Sequence, residues 1–221
     1  MKSLICQGLN IQVLIRFKRC IKGARAYISF TGTLKIQPLM DSYATHVTAK
    51  LGAIRGAIED NHILATEDSH HLPEKQLTKQ LQPFFSGNYL VRCVPSLETN
   101  LFSAQQVSQF YQQGFHISPD VNRMGLRLQG LPISFPEDLS ITSSGLTQGS
   151  IQVPPSGIPI ISSVDGQTIG GYPRIANVIR ADLPLLGQLR PKDKINFTNV
   201  DLDYADKLLA ESNQMISELI D

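Results

Sequence analysis

Glycine and proline punctuate the chain heavily between Pro132 and Pro159, and this restricts what that stretch can form. Glycine adopts backbone angles that other residues avoid, while proline fixes its own backbone angle and lacks a donor, so both favour turns. Such a stretch suits short strands joined by tight turns. The frequent glycine and proline residues therefore favour a strand-rich architecture over a helical one.

Several apolar runs outside this stretch also have strand character, because β-branched and aromatic residues cluster between glycines and prolines. They are Ala24 to Gly32, Tyr89 to Val94, Ile158 to Ile161 and a turn-then-strand segment from Arg190 to Val200. In "NRMGLRLQG", Met124, Leu126 and Leu128 recur with a period of two, which turns Arg123 and Arg127 to the opposite, polar face. The stretch from Asp60 to Gln82 is polar and weakly periodic, which predicts a surface excursion.

Only two helices are indicated. Ser103 and Gln106 have the spacing of a capping box, and Phe102 and Val107 stand where a hydrophobic staple would join. The tail beyond Asp201 has mostly helical apolar spacing, with Asp201 as a candidate cap, and predicts a C-terminal amphipathic helix that packs on the sheet. These features together predict a mainly β fold: an antiparallel β-barrel or sandwich with a few helices, forming a single domain over residues 1–221.

Composition excludes several classes of function. The formal net charge is +1, so no basic field is present that could hold nucleic acid or an anionic membrane. The three cysteines are widely spaced and lack a zinc-binding pattern, which favours reduced thiols and a cytoplasmic location. The apolar start is interrupted by polar residues, no small-residue cleavage site follows it, and no run reaches membrane-spanning length.

The most informative stretch is "SSVDGQTIGGYPRI", residues 162–175. Asp165 can accept hydrogen bonds and Gln167 can both donate and accept them, so together they could grip a group that presents N–H beside C=O. Gly170 and Gly171 could take left-handed angles, approach a ligand closely and present successive N–H groups as an anion-binding concavity. The alternative interpretation is a simple turn, in which the aspartate caps its own loop.

Four segments resemble the biotin-dependent carboxyltransferase family, which includes the C-type subunit of 5-oxoprolinase, allophanate hydrolase subunit 2-like proteins and the carboxyltransferase domain of urea carboxylase. The segments are "GARAYISFTG", "NRMGLRLQG", "GSIQVPPSGIPI" and "DGQTIGGYPRIANVIRADLPLLGQLRPKDKINF". The string Asp-x-Gln-Thr-x-Gly-Gly-Tyr-Pro is the most specific of these features.

The resemblance implies a cyclophilin-like β-barrel and work within a complex. The expected partners are a second carboxyltransferase-like subunit, which is the B-type subunit of 5-oxoprolinase, and an A-type subunit. The implied reaction is ATP-dependent opening of the lactam 5-oxoproline to glutamate, and the implied substrates are small lactams or ureido compounds. Biotin enters only by analogy with the family. The sequence has no Walker-type phosphate-binding motif, so ATP is expected to bind differently or on a partner subunit.

The resemblance also suggests roles for individual residues. Asp165 and Gln167 would bind the amide or ureido edge, Gly170 and Gly171 would approach the ligand, and Tyr172 would supply a wall and a hydroxyl. Asp165 is also the candidate for proton transfer, since no other catalytic base is evident.

Three further residues are candidates for the same cleft. Arg123 and Arg127 could hold a carboxylate or phosphate through their guanidinium groups, although ordinary surface arginines are the alternative. Gln152, in "SIQVPP", is a further candidate. Adjacent His70 and His71 point in different directions on a helix or a strand, so no metal site is expected.

The chain also departs from the family pattern. Members usually begin with a further segment that contains a Gln-Asp-x-Gly-Arg stretch, which is absent from this sequence. The domain is therefore expected to lack the family's N-terminal strands. Two alternatives to an enzyme subunit remain open: a non-catalytic regulator that binds a kinase-inhibitor-type partner protein, and an inactive truncated remnant.

Overall fold

The structure is a computed structural model. It describes residues 2–8, 11–17, 20–68, 70, 76–78, 82–134 and 141–220. The chain forms two compact units, one made of residues 1–22 and 26–84 and the other of residues 23–25 and 85–221.

The first unit contains one four-stranded sheet and one short hairpin. Its strands are β1 (Lys2–Gly8), β2 (Ile11–Phe17), β3 (Thr33–Leu34), β4 (Thr45–His46), β5 (Leu51–Gly52) and β6 (His62–Glu67). The sheet has the order β2-β1-β6-β3, in which β1 and β6 run parallel and the other pairs are antiparallel. Strands β4 and β5 form a two-stranded antiparallel sheet.

The surface excursion predicted between residues 60 and 82 is wrong near its start, where the chain forms strand β6. Leu64 and Thr66 are buried, whereas Ile63 is exposed, so the strand has one inner and one outer face. The short run lacks a clear pattern in the sequence because its strand character depends on pairing with β1, which lies far away along the chain.

The predicted strand between residues 24 and 32 is wrong, because the structure has irregular backbone there. The side chain of Gln188 binds three backbone groups at the start of this run. Its Oε1 accepts from the backbone N–H groups of Ala24 and Arg25 at 3.0 and 3.1 Å, and its Nε2 donates to the Arg25 carbonyl at 3.2 Å. These side-chain bonds satisfy backbone groups of Ala24 and Arg25 without a β-ladder.

The second unit is built on a closed barrel of seven strands with the order β11-β12-β9-β8-β15-β7-β14. The strands of this unit are β7 (Asn88–Pro95), β8 (Phe115–Val121), β9 (Gly125–Gln129), β10 (Ser144–Gly145), β11 (Ser150–Gln152), β12 (Ile160–Ser162), β13 (Ile169–Gly170), β14 (Arg174–Val178) and β15 (Lys194–Asn199). Strands β10 and β13 form a separate two-stranded pair. The predicted mainly β barrel is confirmed, except that β7 and β15 run parallel.

Inward-facing side chains of the barrel strands, of the helices at residues 104–112 and 183–186 and of connecting segments form the core. Phe110 and Phe197 stack with their ring centroids 4.7 Å apart, and Phe115 packs beside both rings. Cys93 is fully buried in this cluster, and burial raises the pKa of its thiol. Because a thiolate is the reactive form, this cysteine is a small core residue rather than a nucleophile.

The helices are α1 (Ala104–Gln112), α2 (Leu183–Leu186) and α3 (Leu202–Ile220), with 3₁₀ turns at Thr99–Leu101 and Arg180–Asp182. The capping box is confirmed. Ser103 Oγ accepts from the Gln106 N–H at 3.2 Å, and the Gln106 side chain accepts from the Ser103 N–H at 2.7 Å. Phe102 and Val107 both pack into the core, as expected for a hydrophobic staple.

The C-terminal helix α3 is present where it was predicted. The carboxylate of Asp201 caps it by accepting from the Tyr204 N–H at 2.7 Å. The helix lies chiefly against the 3₁₀ turn Arg180–Asp182 rather than across the sheet, and Leu202 and Ile216 are exposed. No helix in the described part of the chain is both long and apolar enough to cross a bilayer.

Candidate functional site

A cavity of about 310 Å³ lies among β8, β9, β11, β12 and the segment that follows β12. It is lined by Asp120, Asn122, Met124, Gly125, Arg127, Gln152, Ile160, Ser162, Gln167 and Tyr172. Most of these side chains can form hydrogen bonds, and the volume lies at the low end of the range for small-molecule sites. The cavity therefore suits a small polar ligand.

Four of the side chains predicted for a site lie together in this cavity. They are Arg127, Gln152, Gln167 and Tyr172. The other four predicted residues, Arg123, Asp165, Gly170 and Gly171, are outside the lining.

Arg127 reaches the cavity because of the period-two pattern of β9. Leu126 and Leu128 point into the core, so the side chain between them points outward, beside its cross-strand partner Ile160. Met124 departs from the predicted pattern: it precedes the strand, is 47% exposed and lines the cavity instead of packing in the core.

Asp120 enters the cavity through an irregularity in β8. The register of β8 and β9 shifts between Ile117 and Val121, so three residues of β8 face one residue of β9. The inserted residues include Pro119, which has no N–H to donate, and the Asp120 N–H bonds to Ser118 Oγ at 3.1 Å. Bulges of this kind redirect side chains beside functional sites.

Sequence reasoning missed Asp120. The available signal was a proline inside an otherwise regular strand, since proline within a sheet is confined to edges, first positions and bulges.

Gln152 is held by the loop that follows β13. Its side chain is 6% exposed, and Nε2 donates to the Tyr172 carbonyl at 3.3 Å. A Cβ atom at Gly170 would lie 2.8 Å from Gln152 Nε2 and 3.3 Å from Gln167 Nε2. The absence of a side chain at Gly170 thus leaves room for both amide groups beside the cavity.

The predicted left-handed glycine turn is wrong. None of Gly166, Gly170 and Gly171 has a positive φ. Gly170 belongs to β13, whose backbone pairs with β10 in antiparallel register. A strand directs successive N–H groups to alternate sides, so the strand backbone at Gly170 does not form an anion-binding concavity.

Asp165 and Arg123 bind each other. Arg123 Nε donates to Asp165 Oδ2 at 2.5 Å and Nη2 donates to Oδ1 at 2.9 Å, and the Asp165 N–H donates to the Arg123 carbonyl at 2.7 Å. A bidentate pair of this kind holds two turns together with defined geometry. The predicted pairing of Asp165 with Gln167 around a ligand is not assembled, because only Gln167 lines the cavity.

Two further ion pairs of the second unit were also missed, because 76 and 90 residues separate the partners. Arg174 forms a bidentate pair with Glu98, and its hydrogen bonds hold the pKa of that carboxyl group below its ordinary value. Arg92 forms a bidentate pair with buried Asp182, whose hydrogen bonds raise the pKa of the guanidinium.

The histidines form no metal site among the described residues, where no group of three or more histidine, cysteine or acidic side chains could hold an ion. His46 Nδ1 accepts from the Ala49 N–H at 3.1 Å, which is a local structural role. His70 is exposed and bonds to Thr31 through its backbone, whereas His71 lies outside the described residues.

A family model described as carboxyltransferase domain, subdomain A and B, matches residues 9–199. The chain belongs to this family. The carboxyltransferase match includes every predicted site residue and the cavity, and it confirms the resemblance drawn from the glycine-rich motif and its neighbours.

Two relatives of this carboxyltransferase chain align with most of its residues. It is 31% identical over 207 residues to the C-type subunit of 5-oxoprolinase from Escherichia coli, covering 93% of this chain and 66% of that protein. It is 32% identical over 212 residues to the protein of the same name in Haemophilus influenzae, covering 93% and 67% respectively. The chain thus spans about two thirds of the length of these relatives.

The fold is also that of a solved relative. The structure matches Kluyveromyces lactis urea carboxylase with a TM-score of 0.79 and 20% identity, covering 98% of this chain and 22% of that one. At this identity the match concerns the fold alone.

Proposed function

We propose that the cavity binds a small lactam bearing a carboxylate, and that the chain acts as a subunit of an ATP-dependent 5-oxoprolinase that opens 5-oxoproline to glutamate. One observation carries the proposal: the Arg127 guanidinium, the Gln152 and Gln167 amides and the Asp120 carboxylate line the same small cavity. The similarity to the C-type subunit of 5-oxoprolinase in two organisms supports the choice of substrate.

Each group has a chemical counterpart on such a ligand. The Arg127 guanidinium presents a planar fork of donors that matches a carboxylate. The Gln167 amide can donate to the lactam carbonyl and accept from the lactam N–H. Gln152 uses one N–H on the Tyr172 carbonyl, so its second N–H and its oxygen remain for the ligand. The Tyr172 side chain forms a wall.

We assign proton transfer to Asp120 in preference to Asp165. Asp120 lines the cavity, whereas both oxygens of Asp165 already accept from Arg123. A general base has to lie within hydrogen-bonding reach of the proton that it takes. In this proposal Asp165 and Arg123 support the cavity by joining the turns on which they lie, and Asp165 does not touch the ligand.

ATP itself does not fit the cavity. A triphosphate carries several negative charges, and the lining supplies one guanidinium, from Arg127, beside the carboxylate of Asp120. Binding of a triphosphate there would place several negative charges beside the Asp120 carboxylate, with one guanidinium to compensate them. We therefore propose that ATP, which supplies the free energy for lactam opening, is bound with a partner subunit.

We further propose that the partners are the B-type and A-type subunits of 5-oxoprolinase. A ureido compound presents the same N–H beside C=O as a lactam, so it is the alternative ligand class. Biotin would enter the cavity only as such a ureido group.

Calorimetric titration of the purified chain tests binding. The ligands are 5-oxoproline, pyrrolidinone (the same ring without the carboxylate), proline (the carboxylate without the lactam carbonyl) and imidazolidinone (a ureido ring). We expect 5-oxoproline to bind most tightly, because it alone satisfies both Arg127 and the amides. Tightest binding of imidazolidinone would favour the ureido class, and no binding of any of the four would refute the proposed site.

Two variants test whether Arg127 binds the carboxylate of the ligand. In Arg127→Met, we expect 5-oxoproline to bind no more tightly than pyrrolidinone, because the carboxylate loses its partner. Arg180→Met changes an exposed arginine outside the cavity and should leave the preference unchanged. A preference retained in Arg127→Met would contradict the assignment.

Turnover is tested by adding B-type and A-type partner subunits and following ATP-dependent release of glutamate. Absence of glutamate release, under conditions in which a full-length relative is active, would argue against the proposed reaction while leaving the binding result intact.

A further inference from the structure

A buried arginine outside the cavity lies at the centre of a polar cluster. Arg174, on β14, is only 9% exposed, and its guanidinium binds groups on both sides. On one side it forms the bidentate pair with Glu98. On the other side Nη1 donates to the Gly145 carbonyl at 2.6 Å and Nη2 donates to Ser144 Oγ at 3.1 Å.

The residues on that second side, Ser144 and Gly145, form β10, and β10 pairs with β13 beside the cavity. Ser144 pairs with Gly170 and Gly145 pairs with Ile169 in β13. The ladder extends by one bond, from the N–H of Leu146 to the carbonyl of Thr168 at 2.8 Å.

Strand β13 lies between two residues of the cavity wall. Gln167 precedes it by two positions and Tyr172 follows it by two, and both side chains line the cavity. Displacement of β13 would therefore move the proposed lactam-binding amide and the wall of the site together.

A pair of two-residue strands holds its position poorly by itself. Isolated two-stranded sheets are marginal in water even when they are longer. An arginine suits the anchoring role because its rigid planar fork can bind a carboxylate at one edge and a carbonyl at another.

We propose that Arg174 is a positioning residue for the cavity: its bonds fix β10, and β10 fixes β13 together with Gln167 and Tyr172. The inference rests on the proposed function, since ligand affinity is one of its two readouts. The second readout, hydrogen exchange, does not depend on any ligand.

A matched control separates positioning from general stability. Arg92 also forms a bidentate ion pair, with the buried carboxylate of Asp182, but neither residue bonds to β10 or β13. Both Arg174→Met and Arg92→Met should lower the unfolding temperature, because each leaves a carboxylate without its partner.

The experiment compares these two variants with the wild-type chain. Amide hydrogen exchange is measured by mass spectrometry for peptides covering residues 144–146 and 168–171, and the affinity for 5-oxoproline is measured by titration. In Arg174→Met we expect exchange in both peptides to be about tenfold faster and the affinity to be about tenfold weaker. In Arg92→Met we expect neither to change by more than about twofold.

Equal exchange in the two variants, or unchanged exchange in Arg174→Met, would overturn the inference. If the wild-type chain binds no ligand, the proposed function fails, and hydrogen exchange still decides the positioning role.

Arg174→Lys keeps the charge but replaces the fork with a single ammonium group, so full recovery of the wild-type exchange by this variant would refute the argument from geometry. If Arg174→Met does not fold, Ser144→Ala removes one of the bonds to β10 and leaves the Glu98 pair intact; exchange at residues 144–146 should then rise without a lower unfolding temperature.

Discussion

Adding one methyl group at Gly170 should disturb the packing beside the candidate site. A Cβ atom there would lie 2.5 Å from Leu146 Cδ1, 2.8 Å from Gln152 Nε2 and 3.3 Å from Gln167 Nε2. Leu146 and Gln152 are both buried, so neither side chain can swing into open solvent. Inserting a methyl group into packed surroundings of this kind costs about 1–3 kcal/mol.

Two neighbouring glycines provide controls in which the same substitution meets no buried side chain. At Gly171 the nearest atom to an added Cβ is Ser143 Oγ at 3.2 Å, and at Gly145 nothing lies within 4 Å. None of the three glycines has a positive φ, so alanine strains the backbone at none of them. Alanine also restricts the unfolded chain, which stabilises a compatible site by about 0.4–1 kcal/mol.

The assay is urea unfolding of Gly170→Ala, Gly171→Ala and Gly145→Ala. The effect on the unfolded chain is common to all three variants, so the difference in free energy of unfolding between Gly170→Ala and either control isolates the packing cost. We expect Gly170→Ala to be less stable than both controls by about 1–3 kcal/mol. Equal stability of the three variants would refute the argument that Gly170 is required by close packing.

Three other predictions concern the core and its charges. Phe110→Ala should lower the free energy of unfolding by about 3–5 kcal/mol, whereas Phe84→Ala, at an 83% exposed position, should change it by less than about 0.5 kcal/mol in the same urea titration. Because Arg174 lowers the folded-state pKa of Glu98, this pair stabilises the fold above the unfolded-state pKa of about 4.3 and ceases to do so as the pH falls through the folded-state pKa. The stability difference between the wild-type chain and Glu98→Gln should therefore shrink as the pH falls below about 4.3, and a difference independent of pH would contradict the assignment. Cys93 should remain unlabelled by an alkylating reagent until urea unfolds the chain, as followed by mass spectrometry, because burial raises its pKa; labelling of the native protein would show that the thiol is accessible.

The local features of the fold were predictable from the residues. The capping box at Ser103, the cap at Asp201 and the alternation that points Arg127 away from the core depend on neighbours within a few positions along the chain. Segments whose structure depends on distant partners were not predictable in this way. The run from Ala24 to Gly32 has strand composition, but the Gln188 side chain occupies backbone groups near its start.

The residues of the candidate site also differ in whether they could be predicted from the sequence. Gln167, Tyr172 and Arg127 were identified from residue chemistry and from the family resemblance, and they line one cavity. Asp165 was expected beside them, but its carboxylate is bound by Arg123, 42 residues away along the chain. Asp120 was missed because a shift in strand register, rather than its sequence neighbours, brings it to the cavity.

The sequence by itself determined the strand-rich class, the helix caps, the buried and exposed faces of β9 and the membership of the carboxyltransferase family. The tertiary structure alone decided which charges pair, which strand bulges and which polar side chains share a cavity. The physical reason is range: caps and alternation are set by backbone geometry over a few residues, whereas an ion pair such as that of Arg174 and Glu98 forms only after strand register brings together residues 76 positions apart.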